Sequence, residues 1–299
     1  DGNCMENPLV TIAIPTYNRA TTYLPGVLEA ALLQTWENIE ILVGDNASTD
    51  DTIGVVESYE DPRIRLLTHA QNLGANGNFN RLLDEATGSW FLLLHDDDLI
   101  DPEFVEACLA AREPGIDYGL IQTGVRAINS EGRTLRERRH TVSCPRPEDL
   151  YRAWFRSKVG LYLCNTLYRT QALREIGGFK SVHNLLEDNV ALVKILDSWP
   201  HLEIPDVLAS YRYSYDQHSF QVPVKEWCED FRALLDLIVK QVSPNERDSI
   251  HHMGRRFFGL LCVNRANAIS SPFRRLRARL TVARHFGASS WTRTWALPS

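Results

Sequence analysis

The sequence contains no apolar run that could cross a bilayer, because no stretch approaches the roughly 18–20 residues that a transmembrane helix needs. No charged segment followed by an apolar one opens the chain, so no signal peptide is expected. The six cysteines form no C-x-x-C pair, which removes support for a zinc knuckle or a redox motif. These absences predict a reducing, cytoplasmic setting.

Two phosphate-binding motifs are also absent. No G-x-G-x-x-G follows the first apolar run, and no G-x-x-x-x-G-K-S/T occurs, so a nicotinamide-type Rossmann site and a Walker NTPase both lose support. The formal net charge of −6 argues against a nucleic-acid partner. The remaining composition, 44% apolar and 23% charged over 299 residues, is that of a soluble globular protein with one large domain or two modest ones.

The first hundred residues alternate between short apolar runs and segments with helical periodicity. The runs that predict strands are LVTIAIP, IEILVGD, IRLLTH and WFLLLH. The segments that predict helices are TTYLPGVLEAALLQTW, STDDTIGVVESY, NGNFNRLLDEAT up to Gly88, and DPEFVEACLAA. This alternation predicts a parallel sheet with helices on both faces. Ligands of such sheets bind beyond the carboxyl ends of the strands.

The rest of the chain is less regular. Further strands are expected from Asp117 to Asn129, followed by a charged turn or loop, SEGRTLRERRH. Helices are predicted over Pro147 to Ser157, QALREIGGF and HNLLEDNVALVKILDSW. The segment VLASYRYSYDQHS predicts a strand that runs into a loop, and the pattern beyond Pro223 is helical.

Three consecutive aspartates, Asp96, Asp97 and Asp98, closely follow the fourth predicted strand. Three like charges at the end of a buried strand repel one another and lose solvation, which is unfavourable unless a cation is present. Carboxylate oxygens suit hard divalent cations such as magnesium and manganese, and such an ion can neutralise a diphosphate leaving group. One aspartate would be enough to cap the helix that begins near Pro102, so a metal site is the better interpretation.

Polar residues also follow the first and second predicted strands. PTYN ends the first strand, and Asp45 and Asn46 end the second. A carboxylate can accept a hydrogen bond from the imino group of a nucleobase, and an amide can donate or accept one. Each of these features alone is consistent with an ordinary turn or helix cap. Together, three polar strand ends at one edge of a sheet predict a ligand site.

Five blocks of the sequence resemble, in order and spacing, the family 2 glycosyltransferases with the GT-A fold. They are VTIAIPTYNR, IEILVGDNASTDDT, NLGANGNFN, ATGSWFLLLHDDDLIDPEFVE and GGFKSVHNLLEDNVALVKI. The resemblance implies an α/β fold with a Rossmann-like, mostly parallel sheet flanked by helices. It implies a glycosyltransferase domain over residues 5–220, with a nucleotide-sugar half (5–115) and an acceptor half (116–220), and a helical C-terminal extension (221–299).

The resemblance also implies roles for the matching positions on the donor side. The nucleotide site would be formed by Pro15, Thr16, Tyr17, Asn18, Asp45, Asn46, Asn72, Gly74, Asn80 and Asp96. Where the family often has D-x-D-D, this chain has His95 in the first position, which makes Asp97 and Asp98 the metal contacts. His218 is predicted as a further metal ligand, with a surface-loop histidine as the alternative, and Arg212 is expected to contact phosphate.

Glu187 and Asp188 match the acidic pair of the family, in which Asp188 would be the catalytic base. A positioned carboxylate can take the proton of an acceptor hydroxyl as it attacks the anomeric carbon, and one displacement inverts the configuration there. From the residues alone, an acidic first turn favoured by the helix dipole is the better interpretation. Polymerising members carry a Q-x-x-R-W element after the pair, and its absence here predicts transfer of a single sugar.

The predicted function is therefore an inverting, hexosyltransferase-type reaction that depends on Mn²⁺ or Mg²⁺. The donor would be a nucleotide-diphosphate sugar, with UDP expected, and the acceptor a hydroxyl of a glycan, a lipid-linked sugar or a small molecule. A non-catalytic nucleotide- or glycan-binding module and a sugar nucleotidyltransferase are the alternatives.

Two further expectations concern the acceptor and the partners. Four aromatic residues, Trp154, Tyr162, Tyr168 and Trp199, either stack on the acceptor sugar or belong to the core. The basic segment SPFRRLRARLTVARHFG would contact an anionic membrane surface, or else be a solvated face or a homodimer contact.

Overall fold

The computed structural model describes residues 7–213 and 222–287 of the 299-residue chain. Within these residues the chain forms two compact units. The first unit comprises residues 7–143, 160–179 and 194–213, and the second comprises residues 144–159, 180–193 and 222–287. Among the described residues, no helix combines the length and the apolarity that crossing a membrane requires.

The described part of the first unit is built around a nine-stranded sheet. Its strands are β1 (Val10–Thr16), β2 (Ile39–Asp45), β3 (Ile64–Thr68), β4 (Trp90–Leu93), β5 (Leu99–Ile100), β6 (Leu120–Ile128), β7 (Thr134–Arg138), β8 (Thr166–Arg169) and β9 (His201–Arg212). Their order is β3-β2-β1-β4-β8-β6-β9-β5, with β7 paired to β6 beside this row. The strands β1 to β4 pair in parallel, as do β6 and β9, and the other pairs are antiparallel.

Helices alternate with the strands of the first hundred residues, as the sequence predicts. The helices are α1 (Leu24–Leu32), α2 (Thr52–Glu57), α3 (Gly74–Glu85), α4 (Phe104–Ala110), α5 (Pro147–Phe155), α6 (Thr170–Glu175), α7 (Glu187–Leu196), α8 (Val224–Gln241), α9 (Arg247–Asn267) and α10 (Pro272–Phe286). This alternation, with parallel pairing of the first four strands, confirms the predicted α/β fold and its Rossmann-like sheet.

The strand β1 shows why the apolar runs become central strands. Every residue from Val10 to Thr16 is buried, as expected for a strand covered on both faces of a parallel sheet. Ile12 belongs to the same core cluster as Leu24 of α1, and burial of each such side chain contributes about 1.5–3 kcal/mol. Parallel pairing places Thr16 opposite Asp45, so β1 and β2 end at the same edge of the sheet.

The segment predicted as a charged turn or loop contains the strand β7, so that prediction was wrong. Most of its side chains are exposed, and no apolar alternation marks it in the sequence. Backbone pairing with β6 stabilises it instead, with Arg138 opposite Val125 and Arg136 opposite Ala127. An edge strand of this kind needs a partner strand more than it needs an apolar face.

Two other predicted elements begin at different residues. The strand predicted from Val207 begins at His201 as β9, because residues 201–203 pair in parallel with residues 120–122 of β6. The helix predicted from His183 begins only at Glu187 as α7. In the preceding turn, the backbone N–H groups of His183 and Leu185 donate to the side chain of Asp230. The turn therefore does not continue the helix.

The described part of the second unit is helical and includes α5, the first residues of α7, and α8 to α10. Its core is aromatic: the ring of Phe258 in α9 lies 5.5 Å from that of Trp154 in α5 and 4.7 Å from that of Phe231 in α8. A Cβ atom at Gly254 would lie 2.4 Å from the side chain of Leu235, so this glycine permits the close packing of α8 and α9. The helical character predicted beyond Pro223 is confirmed over the described residues.

Two of the four aromatic residues considered for sugar stacking belong to the core. Trp154 is 8% exposed and Tyr168 is 1% exposed. Tyr168 meets Phe179 edge-on, with ring centroids 6.0 Å apart. Of the two interpretations given for these aromatic residues, the core interpretation is therefore the correct one for Trp154 and Tyr168, because a buried ring face is not available to a sugar.

Candidate functional site

The carboxyl end of β2 carries a buried carboxylate with one free oxygen. Asp45 is 1% exposed, and its Oδ2 atom accepts a hydrogen bond of 3.2 Å from the backbone N–H of Ser48. Its Oδ1 atom is buried without a partner among the described residues. A buried oxygen that lacks a donor costs free energy, so this geometry suits a ligand that brings an N–H group.

Asn46, the next residue, holds the segment after β3 in place. Its amide nitrogen donates to Asn72 Oδ1 at 3.0 Å, and its Oδ1 accepts from the backbone N–H of Leu73 at 2.8 Å. Asn72 Oδ1 also accepts from the N–H of Gly74, whose φ of +72° is a conformation that favours glycine. The structure therefore brings three of the predicted donor-site residues, Asn46, Asn72 and Gly74, together beside Asp45.

Asn80 lies further along α3 and bonds to a different part of the first unit. Its amide nitrogen donates to the carbonyl of Phe179, and its Oδ1 accepts from the N–H of the same residue, both at 2.9 Å. This reciprocal pair fastens α3 to the chain at Phe179. A contact between Asn80 and a nucleotide stays a prediction.

The loop after β1 is joined to the loop after β2. Asn18 has a φ of +55°, its backbone N–H donates to Ser48 Oγ at 2.9 Å, and its Oδ1 accepts from the N–H of Thr49 at 2.8 Å. Pro15 and Thr16 are buried residues of β1 itself, whereas Tyr17 is 45% exposed. Of the four predicted residues from Pro15 to Asn18, Tyr17 is the one with an exposed aromatic ring.

The segment after β4 brings three metal-ligating groups together. One ligand atom from each of His95, Asp97 and Asp98 lies within 4.8 Å of the other two. His95 Nε2 is buried with no partner among the described residues, and burial lowers the pKa of His95, which favours the neutral imidazole that binds metals. The sequence identified Asp97 and Asp98 as metal contacts but treated His95 only as a departure from the family pattern. An imidazole beside two carboxylates was the available signal.

The electrostatics of this cluster suit a divalent cation. Burial raises the pKa of Asp98 well above its ordinary value, and the charge of Asp97 raises it further. Burial also raises the pKa of Asp96 to about 6, although Arg19, with its Nε atom 3.5 Å away, opposes the shift. A cation with charge +2 between Asp97 and Asp98 would remove the repulsion and stabilise both ionised forms. The donor set of one imidazole and two carboxylates therefore fits the predicted metal.

Arg212, the last residue of β9, donates hydrogen bonds to Asp97 and Asp98. Its backbone N–H donates to Asp98 Oδ1 at 2.8 Å, and its Nε donates to the carbonyl of Asp97 at 2.7 Å. The guanidinium also donates to the carbonyl of Asn129 and lies 4.2 Å from the ring centroid of Tyr23. These contacts fix the backbone that carries the two aspartates, and a contact of Arg212 with phosphate stays a prediction.

The acidic pair lies in the second unit, in the first turn of α7. Burial, followed by the charges of Asp188 and Asp230, raises the pKa of Glu187 to about 8. Burial raises the pKa of Asp188 to about 6. Near neutral pH, Glu187 therefore keeps its proton while most of Asp188 is ionised and more basic than an ordinary aspartate. The predicted ligand His218 lies outside the described residues.

A model described as "Glycosyl transferase family 2" matches residues 11–177. Chondroitin synthase of Escherichia coli is 32% identical over 130 residues, which are 43% of this chain but only 19% of that protein.

The fold is also found in solved structures. S. aureus TarS in complex with UDP-GlcNAc has a TM-score of 0.68 at 17% identity, over 93% of this chain and 89% of that one. The mannosyltransferase PcManGT of Pyrobaculum calidifontis, in complex with GDP-Man and Mn²⁺, has a TM-score of 0.59 at 18% identity, over 96% of this chain and 84% of that one.

Proposed function

Because the chain belongs to glycosyl transferase family 2, we propose that it transfers a single sugar from a nucleotide-diphosphate sugar to a hydroxyl group. One observation carries the proposal: β2 and β4, the two neighbours of β1, both end in ligand-binding groups. The last residue of β2 is a buried carboxylate with a free oxygen, and after β4 come one imidazole and two carboxylates. Ligands of parallel sheets bind at such an edge.

The donor is proposed to carry UDP. The free oxygen of Asp45 would accept the N3–H of uracil, and the exposed ring of Tyr17 would pack on the base. TarS, which shares the fold, is known in complex with UDP-GlcNAc, and this supports the choice. PcManGT in complex with GDP-Man makes a guanine nucleotide the alternative to be tested.

Mn²⁺ or Mg²⁺ is the proposed metal, held by Asp97 and Asp98, with His95 as a further ligand. Mg²⁺ prefers oxygen ligands, whereas imidazole suits transition metals, so the histidine favours Mn²⁺. When bound, the cation would supply Lewis-acid stabilisation of the diphosphate leaving group. Arg212 would keep the two aspartates in place through its bonds to their backbone and side chain.

Asp188 is the proposed catalytic base. With its pKa raised to about 6, it is ionised at neutral pH and can accept the proton of the acceptor hydroxyl as that oxygen attacks the anomeric carbon. A single displacement of this kind inverts the configuration. Glu187, whose pKa is raised to about 8, holds its proton and can donate a hydrogen bond beside the base.

We also propose that α10 contacts an anionic membrane surface, which would suit a lipid-linked acceptor. Phe273, Leu276 and Leu280 are 87%, 55% and 47% exposed and recur at helical spacing, whereas Val282 and Phe286 are buried. The helix contains no acidic residue, and its arginines are Arg274, Arg275, Arg277, Arg279 and Arg284. Exposed apolar residues among cations are typical of helices that lie on anionic lipid. A homodimer contact through the same face is the alternative.

The experiment is an incubation of the protein with UDP-GlcNAc, UDP-glucose or GDP-mannose, each with and without Mn²⁺, followed by measurement of the released nucleoside diphosphate. We expect release from one donor class, and only with the metal. Binding of a donor without any release, in the presence of glycan and lipid-linked acceptors, would favour the binding module instead. Release of pyrophosphate in a separate incubation with UTP or GTP and a sugar 1-phosphate would favour the nucleotidyltransferase.

A further inference from the structure

The turn that precedes α7 is built around one buried carboxylate from another helix. Asp230 of α8 is 1% exposed. Its Oδ1 atom accepts a hydrogen bond of 2.7 Å from the backbone N–H of His183. Its Oδ2 atom accepts from Ser181 Oγ at 2.7 Å and from the N–H of Leu185 at 3.1 Å. Three donors from five residues of the turn therefore converge on a single side chain.

Ser181 extends this network to the residue before the acidic pair. Its Oγ atom accepts from the N–H of Leu185 at 3.0 Å and from the N–H of Leu186 at 3.2 Å. The carbonyl of Leu186 in turn accepts from the N–H of Val190 at 2.9 Å, which is a bond of the first turn of α7. Asn184, between Ser181 and Leu185, has a φ of +55°, a left-handed conformation that asparagine adopts more often than most residues other than glycine.

We propose that Asp230 is a positioning residue for the acidic pair, acting through Ser181 and the backbone amides of the turn to fix where α7 begins. The side chains of Glu187 and Asp188 project from the first two residues of that helix, so a shift of the turn would move both. This inference rests on the proposed role of Asp188 as the base. It adds a residue of α8 that neither its position in the sequence nor the family resemblance identifies.

Electrostatics adds a second effect of the same residue. The negative charge of Asp230 raises the pKa of Glu187, after the larger effects of burial and of Asp188. Other titratable side chains near the turn pair with one another and not with Asp230. His183 Nε2 lies 2.8 Å from one carboxylate oxygen of Glu229, and Lys225 Nζ lies 3.5 Å from the other. Asp230 therefore favours the protonated form of Glu187, which leaves Asp188 as the ionised member of the pair.

Two variants separate position from charge. Asp230→Asn keeps the size of the side chain, removes its charge and replaces one acceptor by a donor. Ser181→Ala removes the hydroxyl relay but leaves the charge of Asp230. Asp236→Asn, at an exposed position of the same helix, is the matched control. The measurements are amide exchange at Leu186, the ¹³C titration of the Glu187 carboxyl, and nucleoside-diphosphate release from the active donor with Mn²⁺.

For Asp230→Asn we expect loss of protection at Leu186, a lower titration midpoint for Glu187, and a decrease in kcat of up to about 100-fold with the donor KM unchanged. For Ser181→Ala we expect the loss of protection with the Glu187 midpoint unchanged. An unchanged Glu187 midpoint in Asp230→Asn, or a wild-type kcat in that variant, would overturn the proposal. If Asp230→Asn does not fold, Ser181→Ala decides, and wild-type protection at Leu186 would overturn it. Exchange and titration need no substrate, so they remain interpretable even if Asp188→Asn shows that the pair is not catalytic.

Discussion

Asp96 and Asp98 at the sheet edge of the first unit, and Glu187 and Asp188 at the start of α7 in the second unit, all have pKa values that burial raises. They differ in what holds them. Asp45 ends β2, and Asp97 and Asp98 closely follow β4, and hydrogen bonding to β1 fixes the register of both strands. The acidic pair depends instead on Asp230, which bonds to a residue 47 positions away. The sheet edge is thus positioned by the core, and the acidic pair by a few polar contacts.

Because the two regions are held in different ways, substitutions in them should have different effects. A substitution in the core beneath the sheet edge, such as Leu92→Ala, would cost about 2–5 kcal/mol of stability, because it leaves a cavity. A substitution in the hydrogen-bond network of Asp230 would change the position of Glu187 and Asp188 while the chain remains folded. The following tests compare the two regions, from the largest expected effect to the smallest.

Asp188→Asn should show the largest effect. It removes the charge and basicity of the proposed base while keeping the size of the side chain, so nucleoside-diphosphate release should fall by about 10²–10⁴-fold. Donor binding should be unchanged, because the predicted nucleotide contacts belong to the first unit. Asp236→Asn is the control. Release at the wild-type rate would show that Asp188 is not the base.

His95→Gln tests the sheet edge in the same way. If the imidazole is a ligand, the concentration of Mn²⁺ that gives half-maximal release should rise roughly 10- to 100-fold, in the range found when metal sites lose a supporting group. His252→Gln, at an exposed position of α9, should leave it unchanged. An unaltered Mn²⁺ dependence in His95→Gln would leave Asp97 and Asp98 as the metal contacts without His95.

The Glu187 carboxyl should make the free energy of unfolding depend on pH. The fold raises the pKa of this carboxyl to about 8, so between its ordinary pKa and that value the folded chain binds more protons than the unfolded chain. The stabilisation is full below the ordinary pKa and is lost as the pH rises through about 8. Urea unfolding at about pH 5 and about pH 8 should therefore show a smaller decrease for Glu187→Gln than for wild type. An equal decrease in both would contradict the raised pKa.

The membrane proposal carries the smallest expected effect. Phe273→Ser with Leu276→Ser should reduce sedimentation with vesicles that contain phosphatidylserine, by about tenfold if both side chains enter the lipid. Vesicles of phosphatidylcholine alone should bind weakly. If wild type binds neither vesicle but forms a dimer that the same substitutions dissociate, the exposed face of α10 is a homodimer contact.

The sequence was informative where structure follows from local pattern. Apolar runs predicted β1 to β4, and the rule for parallel sheets placed Asp45 and the aspartates after β4 at one edge. The charged strand β7 was not predicted, because it is stabilised by backbone pairing with β6 and not by a pattern of apolar side chains. The turn before α7 was predicted as helix because the sequence does not show that Asp230 bonds its amides. In both cases the missing information was a hydrogen-bonding partner that lies outside the segment itself.

The central claim is that a metal-dependent nucleotide site lies at the sheet edge. The most direct test is thermal unfolding with UDP, with dTDP, GDP and CMP for comparison, each with and without Mn²⁺. A ligand at about 100 times its Kd adds roughly 2.7 kcal/mol, which raises Tm by several degrees for a chain of this size. We expect that one diphosphate raises Tm only when Mn²⁺ is present, and that Asp98→Asn loses this increase. An equal increase without the metal, or none with any nucleotide, would contradict it.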